Sequence, residues 1–219
     1  MSRTIVYIDG FNLYYRALKG TAHKWLDLAA LSAASLPPSC QIERVNYYTA
    51  RVSSRATDPA APARQQAYLS ALESSPLVRV HQGNFRVDKK WGHLVQPPQF
   101  KPPFPVPAGA ALEKARIWKT EEKGSDVNLG VHLVRDAFIG AFDQAAILTN
   151  DTDLTEAVRI VTQEAGLPVT LLTPENNPAR SLQQVATFMR HVRPYLGVCQ
   201  FADPLTLADG RTIGKPVGW

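Results

Sequence analysis

Three short apolar runs, each followed by polar residues and then by a helical pattern, constrain the fold of this chain most strongly. They occupy residues 5–8, 145–149 and 167–173. Such near-continuous apolar runs are typical of strands in a parallel sheet that is covered on both faces. Between the last two runs, apolar residues recur at helical spacing. This alternation predicts a doubly wound α/β fold, a mainly parallel sheet with helices on both faces in three layers.

The same patterns predict the individual elements. Strands are expected at residues 3–9, 42–51, 77–82, 145–149 and 167–173, and helices at 25–36, 61–74, 126–139, 152–165 and 179–192. The apolar face of the 126–139 helix is expected to carry Val127, Val131, Val134 and Phe138. Gly166 is placed to end the preceding helix as a C-terminal cap.

Residues 83–113 break this regular pattern. They contain six prolines, which exclude helix and central strand, so an extended loop is predicted. Short β-ribbon arms over 79–86 and 116–120 are expected to flank it. The chain has a net charge of +5, and residues 79–119 contain eight Lys or Arg against two acids. This basic insertion, about 83–119, indicates a polyanionic partner, with a solvated basic loop as the alternative.

Length and composition favour one domain over residues 1–197, followed by an irregular tail over 198–219 that includes a turn at Asp209-Gly210. No run approaches the roughly 18 apolar residues of a membrane span. The first residues lead directly into a strand, and Cys40 and Cys199 stand alone. We therefore expect a cytoplasmic protein without a membrane association. Either a monomer or a homodimer is compatible with the sequence.

Four aspartates occupy positions where strands end or helices begin. Asp9 follows the first apolar run, Asp151 and Asp153 follow the run at 145–149, and Asp126 opens a predicted helix. The carboxyl ends of parallel strands share one edge of the sheet, where ligands bind. Carboxylates that converge there repel each other unless a cation holds them together, so the pattern predicts a divalent metal site. Taken singly, each motif also fits helix capping, with Asn12, Ser125 or one acid as the cap.

Three blocks of sequence resemble the NYN domain of the PIN-like nuclease superfamily: IVYIDGFN from residue 5, EKGSDVNL from residue 122 and LTNDTDL from residue 148. The resemblance extends from residue 3 to about 192. It implies an acidic pocket that binds Mg²⁺ or Mn²⁺ and, usually, ribonuclease activity. Carried over by motif, Asp9, Asp126, Asp151 and Asp153 form the metal-binding catalytic cluster, and Asn12 is its polar companion. The 83–113 segment and the tail have no counterpart in the family pattern.

The expected function is a metal-dependent endoribonuclease that cleaves single-stranded or loop RNA, with single-stranded DNA as an alternative substrate. An acidic pocket needs positive charge nearby to attract RNA, and exposed aromatic rings can stack on unpaired bases. The candidate RNA contacts are Lys89, Lys90, Trp91, Lys101, Arg116, Lys119 and Lys123. Phe100 and Phe104 are further stacking candidates, and Arg51, Arg55 and Arg64 are a weaker phosphate-binding group. These aromatic residues could instead pack the insertion onto the domain.

Three other functions are compatible with parts of the sequence. A phosphatase of the haloacid dehalogenase type needs an Asp-x-Asp pair on the first strand, but Phe11 occupies the second position. An RNA-binding or scaffold module would keep the pocket without turnover. A toxin-type nuclease would be controlled by a partner protein.

Overall fold

The computed structural model describes residues 1–54, 56–103, 105 and 112–219, with only the backbone described at 86 and 120–122. Its centre is a seven-stranded sheet of order β4-β3-β2-β1-β5-β6-β7. The strands are β1 (Ser2–Asp9), β2 (Cys40–Ala50), β3 (Val78–His93), β4 (Lys114–Lys123), β5 (Gln144–Leu148), β6 (Val169–Thr173) and β7 (Phe188–His191). Six strands run parallel, and β4 pairs with β3 in the antiparallel direction. The predicted α/β architecture is confirmed.

Helices connect these strands and cover the sheet. They are α1 (Gly10–Leu13, continued by a π turn over Tyr14–Leu18), α2 (Leu28–Ser35), α3 (Ala61–Glu73), α4 (Ser125–Phe138), α5 (Thr155–Arg159, between a 3₁₀ turn at Thr152–Leu154 and a π turn at Ile160–Glu164) and α6 (Arg180–Val185). The helix predicted over 25–36 begins only at Leu28, because the Asp27 side chain accepts hydrogen bonds from the Ala29 and Ala30 N–H groups. In the part of the chain that the structure describes, no helix has the length and apolar character to span a membrane.

The side chains of β1 divide the core into two layers. Val6 and Ile8 belong to the layer beneath α2 and α3, whereas Ile5 and Tyr7 belong to the layer beneath α4 and α5. Successive residues of a strand point to opposite faces, so a central strand covered on both sides must be apolar throughout. Asp9 continues the alternation of Ile5 and Tyr7 and therefore lies on the α4 and α5 side.

The strand predicted to end at residue 82 is much longer in the structure. β3 runs on to His93 and pairs with β4 from Asn84↔Lys123 to His93↔Lys114. The predicted loop over 83–113 is therefore wrong for residues 83–93, which form a two-stranded ribbon. The ribbon arms were expected over shorter segments and with a different register. The prolines that suggested a loop all lie beyond residue 96, outside the paired segment.

The apolar face predicted for α4 is also wrong. Leu129, Leu133 and Ala137 face the core, whereas Val127 is 67% exposed and Val131 is 58% exposed. Phe138 is likewise 61% exposed, and Val134 is only partly buried. Two apolar stripes wind along this helix, and spacing alone does not say which one meets the sheet.

Only the first half of the helix predicted over 179–192 is helical, and the second half contains a strand. α6 ends at Val185, and Phe188–His191 forms β7 at the sheet edge, paired in parallel with β6. The tail after residue 197, predicted to be irregular, contains an antiparallel hairpin of β8 (Leu205–Thr206) and β9 (Thr212–Ile213). Gly210, with φ of 83°, lies in its turn as expected. The tail also packs on the body of the domain, where the Trp219 and Tyr68 ring centroids are 5.5 Å apart.

Candidate active site

The first part of the site lies where β1 leads into α1. Asp9 is the N-terminal cap of α1, since its Oδ1 accepts a hydrogen bond of 2.9 Å from the Asn12 N–H. Asn12 is therefore not the cap that the simpler interpretation predicted. Gly10 permits this turn: a Cβ there would lie 2.6 Å from the carbonyl oxygen of Tyr48 and 2.7 Å from the Tyr47 ring. Only glycine fits against the neighbouring strand at this point.

The second part lies at the end of the neighbouring strand β5. The Thr149 hydroxyl donates to Asp9 Oδ2 over 3.0 Å and accepts from the Asp151 N–H over 3.1 Å. Asp151 in turn caps the following 3₁₀ turn, because its Oδ1 accepts from the Asp153 N–H over 3.0 Å. Asp9 and Asp151 are thus linked through a single hydroxyl group, and Asp153 is exposed beside them.

Asp9 is a buried carboxyl group in an unfavourable electrostatic position. It is only 3% exposed. Burial raises the pKa of Asp9 above its usual value, and the negative charge of Asp151 raises this pKa further. The hydrogen bonds from Asn12 and Thr149 act in the opposite direction but do not cancel the effect of burial. A cation between these two carboxylates would remove the repulsion and favour the ionised form of Asp9.

Asp126 lies in the first turn of α4. The helix is entered through Gly124, whose φ of 99° is left-handed, so Ser125 is not the cap that was predicted. Gly130 lies one turn after Asp126 on the same side of the helix. A Cβ on Gly130 would lie 3.5 Å from both Leu154 and Ala157. The side of α4 that carries Asp126 therefore faces the segment that follows Asp153.

The donor groups are those that a hard divalent cation prefers. Mg²⁺ is usually held by one or two carboxylates and keeps several water ligands. Asp9 and Asp151, with their electrostatic repulsion, fit that arrangement. Within the described ranges, however, no three His, Cys, Asp or Glu side chains are grouped so that they could hold a metal ion. The four-aspartate metal site, with Asn12 beside it, therefore stays a prediction.

Three further residues, Asn150, Glu175 and Arg16, hold the site together and were missed in the sequence. Asn12 Oδ1 accepts from the Asn150 N–H over 3.0 Å, and Asn150 Nδ2 donates to Glu175 Oε2 over 2.6 Å. Arg16 forms an ion pair of 2.9 Å with the other oxygen of Glu175. This network joins the loops after β1, β5 and β6. The position of Glu175, two residues after the apolar run at 167–173, was the signal available in the sequence.

A second polar group, also missed, lies on the same face of the sheet as Asp9. Tyr48 pairs with Asp9 in the β1–β2 register, and its hydroxyl lies 3.0 Å from Nδ1 of His132. His81 stacks on Tyr48 at 4.7 Å, and its Nε2 lies 3.1 Å from Asn46 Oδ1. Burial lowers the pKa of both histidines. The spacing of the histidines in the sequence offered no signal for this group.

The residues predicted to contact RNA lie on two different faces of the ribbon. Directly opposed residues of an antiparallel pair share a face, so Lys89, Trp91 and Arg116 lie on one face, and Lys90, Lys119 and Lys123 on the other. Lys101 is exposed in the segment beyond the ribbon.

Of the weaker phosphate-binding group, Arg64 forms an ion pair with Asp58. Arg51 lines a surface groove with Gln82, Asn84 and Phe85. Arg55 and Phe104 lie outside the described residues.

Comparison with known proteins places this geometry in a family. The chain is 29% identical to 6-hydroxy-3-succinoylpyridine 3-monooxygenase HspA of Pseudomonas putida over 242 aligned positions, covering 99% of this chain and 75% of that protein. A crystal structure of a protein of unknown function from Vibrio parahaemolyticus has the same fold, with a TM-score of 0.53 at 14% identity over 87% of this chain and 92% of the other. Residues 3–192 match the model of the NYN domain. The chain therefore belongs to the NYN domain family, whose members are generally nucleases.

Proposed function

We propose that this protein is a metal-dependent endoribonuclease that hydrolyses phosphodiester bonds of RNA. The observation that carries the proposal is the buried Asp9 carboxyl group, linked through Thr149 to Asp151 at the carboxyl edge of a parallel sheet. Membership of a family that generally consists of nucleases supports the reaction class. A buried carboxyl group with a second carboxylate nearby is costly for folding, which is typical of sites kept for function.

The residues of the chain have distinct roles in this proposal. Asp9 and Asp151 would hold Mg²⁺ or Mn²⁺ through carboxylate oxygens, and Asp126 and Asp153 would add ligands directly or through water. When bound, the ion lowers the pKa of water and offsets the negative charge of the phosphate. Asn12 and Thr149 orient the Asp9 carboxylate through hydrogen bonds. Water attacks phosphorus, the leaving oxygen is expelled on the opposite side, and no covalent intermediate with the protein is needed.

Cleavage of labelled RNA tests this proposal. Wild type, Asp9→Asn and Asp151→Asn are compared with Mg²⁺, Mn²⁺ or EDTA, on single-stranded RNA, duplex RNA and single-stranded DNA. Asp209→Asn is the matched control, because Asp209 is a carboxylate in the tail turn that pairs with Arg211. We expect metal-dependent cleavage by wild type and by the control variant, with a loss of at least about 100-fold in the site variants, which corresponds to ~2.7 kcal/mol of transition-state stabilisation.

Three other outcomes would change the assignment. Equal cleavage by all four proteins would place the activity elsewhere or in a contaminant. RNA binding without cleavage in any metal would favour an RNA-binding or scaffold module. Toxicity of wild type but not of Asp9→Asn on expression, relieved by a co-expressed partner, would favour a nuclease under the control of another protein.

A second candidate function follows from the similarity to the Pseudomonas putida monooxygenase, which extends over almost the whole chain. A monooxygenase transfers one atom of O₂ to its substrate and reduces the other to water, with two electrons from a reductant such as a reduced nicotinamide or flavin. Oxygen uptake that depends on both 6-hydroxy-3-succinoylpyridine and the reductant would support this function. The absence of such uptake, together with RNA cleavage, would separate this chain from that relative.

A further inference from the structure

The ribbon formed by residues 84–93 and 114–123 has two chemically different faces. Opposed residues share a face, and the pairing places Lys89 opposite Trp118 and Trp91 opposite Arg116. Lys114 lies opposite His93 on this same face. We call this surface the tryptophan face; its outer part consists of Lys89, Trp91, His93, Lys114, Arg116 and Trp118. The opposite face of the outer ribbon has Asp88, Lys90, Gly92, Ala115, Ile117 and Lys119.

The two tryptophans are not part of a core. Trp91 is 68% exposed and Trp118 is 65% exposed. They are diagonal neighbours across the two strands, which places their Cα atoms about 7–8 Å apart. The ammonium group of Lys89 lies 4.6 Å from the centre of the Trp118 ring. Exposing two indole rings to water has a hydrophobic cost, and a ligand with aromatic rings that stack on them would recover it.

Charge distinguishes the two faces as well. The outer tryptophan face contains three Lys or Arg residues and no acid, whereas Asp88 on the opposite face lies across from Lys119. A single-stranded nucleic acid matches the tryptophan face, because its bases stack on aromatic rings and its phosphates pair with Lys and Arg. A duplex does not match it, since paired bases are already stacked on one another.

The tryptophan face is also continuous with the candidate active site. Phe85 lies on it at the inner end of the ribbon, and the Phe85 ring meets the ring of Phe11 at 5.4 Å. Phe11 belongs to the turn that begins at Asp9. Phe85 also lines the groove that contains Arg51. At about 3.4 Å per residue, the path from Trp91 to Phe85 measures roughly 20 Å.

We propose that the tryptophan face of the β3–β4 ribbon is a stacking platform that binds unpaired RNA bases and directs the strand toward Asp9. Trp91 and Trp118 stack on bases, while Lys89, Lys114 and Arg116 contact phosphates. This inference rests on the proposed nuclease function for its substrate. It assigns selection of single-stranded substrate to a segment outside the family's sequence blocks.

Binding in EDTA tests the platform without any turnover. The probe is a fluorescein-labelled oligouridine of about 12 nucleotides, within the roughly 4–16 nucleotides of single-strand binding sites, followed by fluorescence anisotropy. Trp91→Ala and Trp118→Ala should each weaken binding roughly 5- to 150-fold, the effect expected for one stacked base. Ile117→Ala, which alters an exposed apolar residue of the opposite face, should change the affinity for oligouridine less than about twofold. Trp118→Phe should restore much of the affinity, which shows that an altered ribbon fold is not the cause.

Charge variants and a duplex probe provide the second part of the test. Arg116→Gln should reduce the slope of log affinity against log salt by about 0.7, the value for one phosphate contact on a single strand. Lys90→Gln makes the same charge change on the opposite face and should reduce the slope less. Unchanged affinity in both tryptophan variants, an equal effect of Ile117→Ala, or equally tight tryptophan-dependent binding of duplex RNA would overturn the proposal.

The cleavage assay separates this inference from the proposed function. Tryptophan-dependent binding of oligouridine without cleavage in any metal would support the proposed stacking platform and refute the proposed nuclease function. Metal-dependent cleavage with unchanged affinity in the tryptophan variants would support the proposed nuclease function and refute the proposed stacking platform.

Discussion

Replacement of Asp9 by asparagine should make the protein more stable while it abolishes cleavage. The Asp9 side chain is almost completely buried, and the negative charge of Asp151 adds to the cost of its ionisation. Asparagine keeps the size of the side chain and its oxygen, so the cap on the Asn12 N–H is preserved. The new NH₂ group would face the Thr149 hydroxyl, which can rotate and accept from it. The buried charge is lost, together with the hydrogen bond that the Thr149 hydroxyl donates to Asp9.

The size of the effect depends on how far the pKa of Asp9 is raised. Each unit by which the folded-state pKa exceeds the unfolded value, near 3.9, reduces stability at neutral pH by ~1.4 kcal/mol. Removal of such strain at a functional site commonly stabilises a protein by ~0.5–2 kcal/mol. For a chain of this length, each kcal/mol raises Tm by roughly 2–4 °C.

The effect should depend on pH in one direction. Between the unfolded and the raised folded pKa of Asp9, the native state binds more protons, so its stability falls as pH rises through this window. The penalty is absent below the unfolded pKa and complete above the folded one. The stability difference between Asp9→Asn and wild type should therefore be small near pH 4 and largest at about pH 7.

Urea denaturation in EDTA, followed by circular dichroism at both pH values, measures this difference. Saturating Mg²⁺ or Mn²⁺ should reverse the order, since a ligand at a hundredfold excess over Kd stabilises the native wild type by ~2.7 kcal/mol. An Asp9→Asn protein that is no more stable than wild type at pH 7 in EDTA would refute the reasoning. A stability gain that does not change with pH would refute it as well.

Three further predictions concern the support of the site and are measured by urea denaturation. Gly10→Ala should destabilise the protein by at least ~1–3 kcal/mol, because the new Cβ would lie 2.6 Å from the Tyr48 carbonyl oxygen. In the control Gly130→Ala, the new Cβ makes ordinary contacts at 3.5 Å, so this variant should be neutral or stabilise α4 by up to ~1 kcal/mol. Asp136 accepts hydrogen bonds from the buried Tyr7 and from two partly exposed arginines, so Asp136→Ala should cost at least ~1.5–3 kcal/mol. Tyr7→Phe should cost only about 1 kcal/mol; equal losses would contradict this. Burial, with Arg135 nearby, lowers the pKa of His132. The contribution of His132 to stability is therefore lost as pH falls below about 6.5, and His132→Gln should lose less stability than wild type over that range.

Much of the central sheet could be predicted because its strands are buried on both sides. The runs at 5–8 and 145–148 are apolar throughout, and both form central strands. The aspartates that follow them were expected to meet at one edge; the structure links the Asp9 carboxylate through the Thr149 hydroxyl to the backbone N–H of Asp151 there, and the carboxylate cluster itself stays a prediction. A strand that is buried on both sides is apolar at every residue, so it can be predicted with little information about the rest of the chain.

The errors fall where a segment has no such signal. All four residues of β7 are exposed, so its pairing with β6 rests on backbone hydrogen bonds that any sequence can form. The ribbon is likewise exposed on both sides, and only pairing of distant residues such as Trp91 and Arg116 makes it a strand. In α4 two apolar stripes compete, and contact with Tyr7 and Leu154 in the same core layer selects the one that includes Leu129. Each of these choices depends on partners far away in the sequence.

The position of the ribbon in the chain explains why it can serve the site. It lies between residues 78–83, the part of β3 that pairs in parallel with β2 and ends at the carboxyl edge of the sheet, and α4, which begins there. Gly124, with its left-handed φ of 99°, turns the chain from β4 into the helix within one residue. The inner end of the ribbon is therefore covalently tied to Asp126, and on the other strand Phe85 contacts the Asp9 turn through Phe11. In our proposal, an RNA strand bound along the tryptophan face would reach the edge that carries Asp9 at the inner end of the ribbon, so binding and cleavage would be coupled by the topology of the fold.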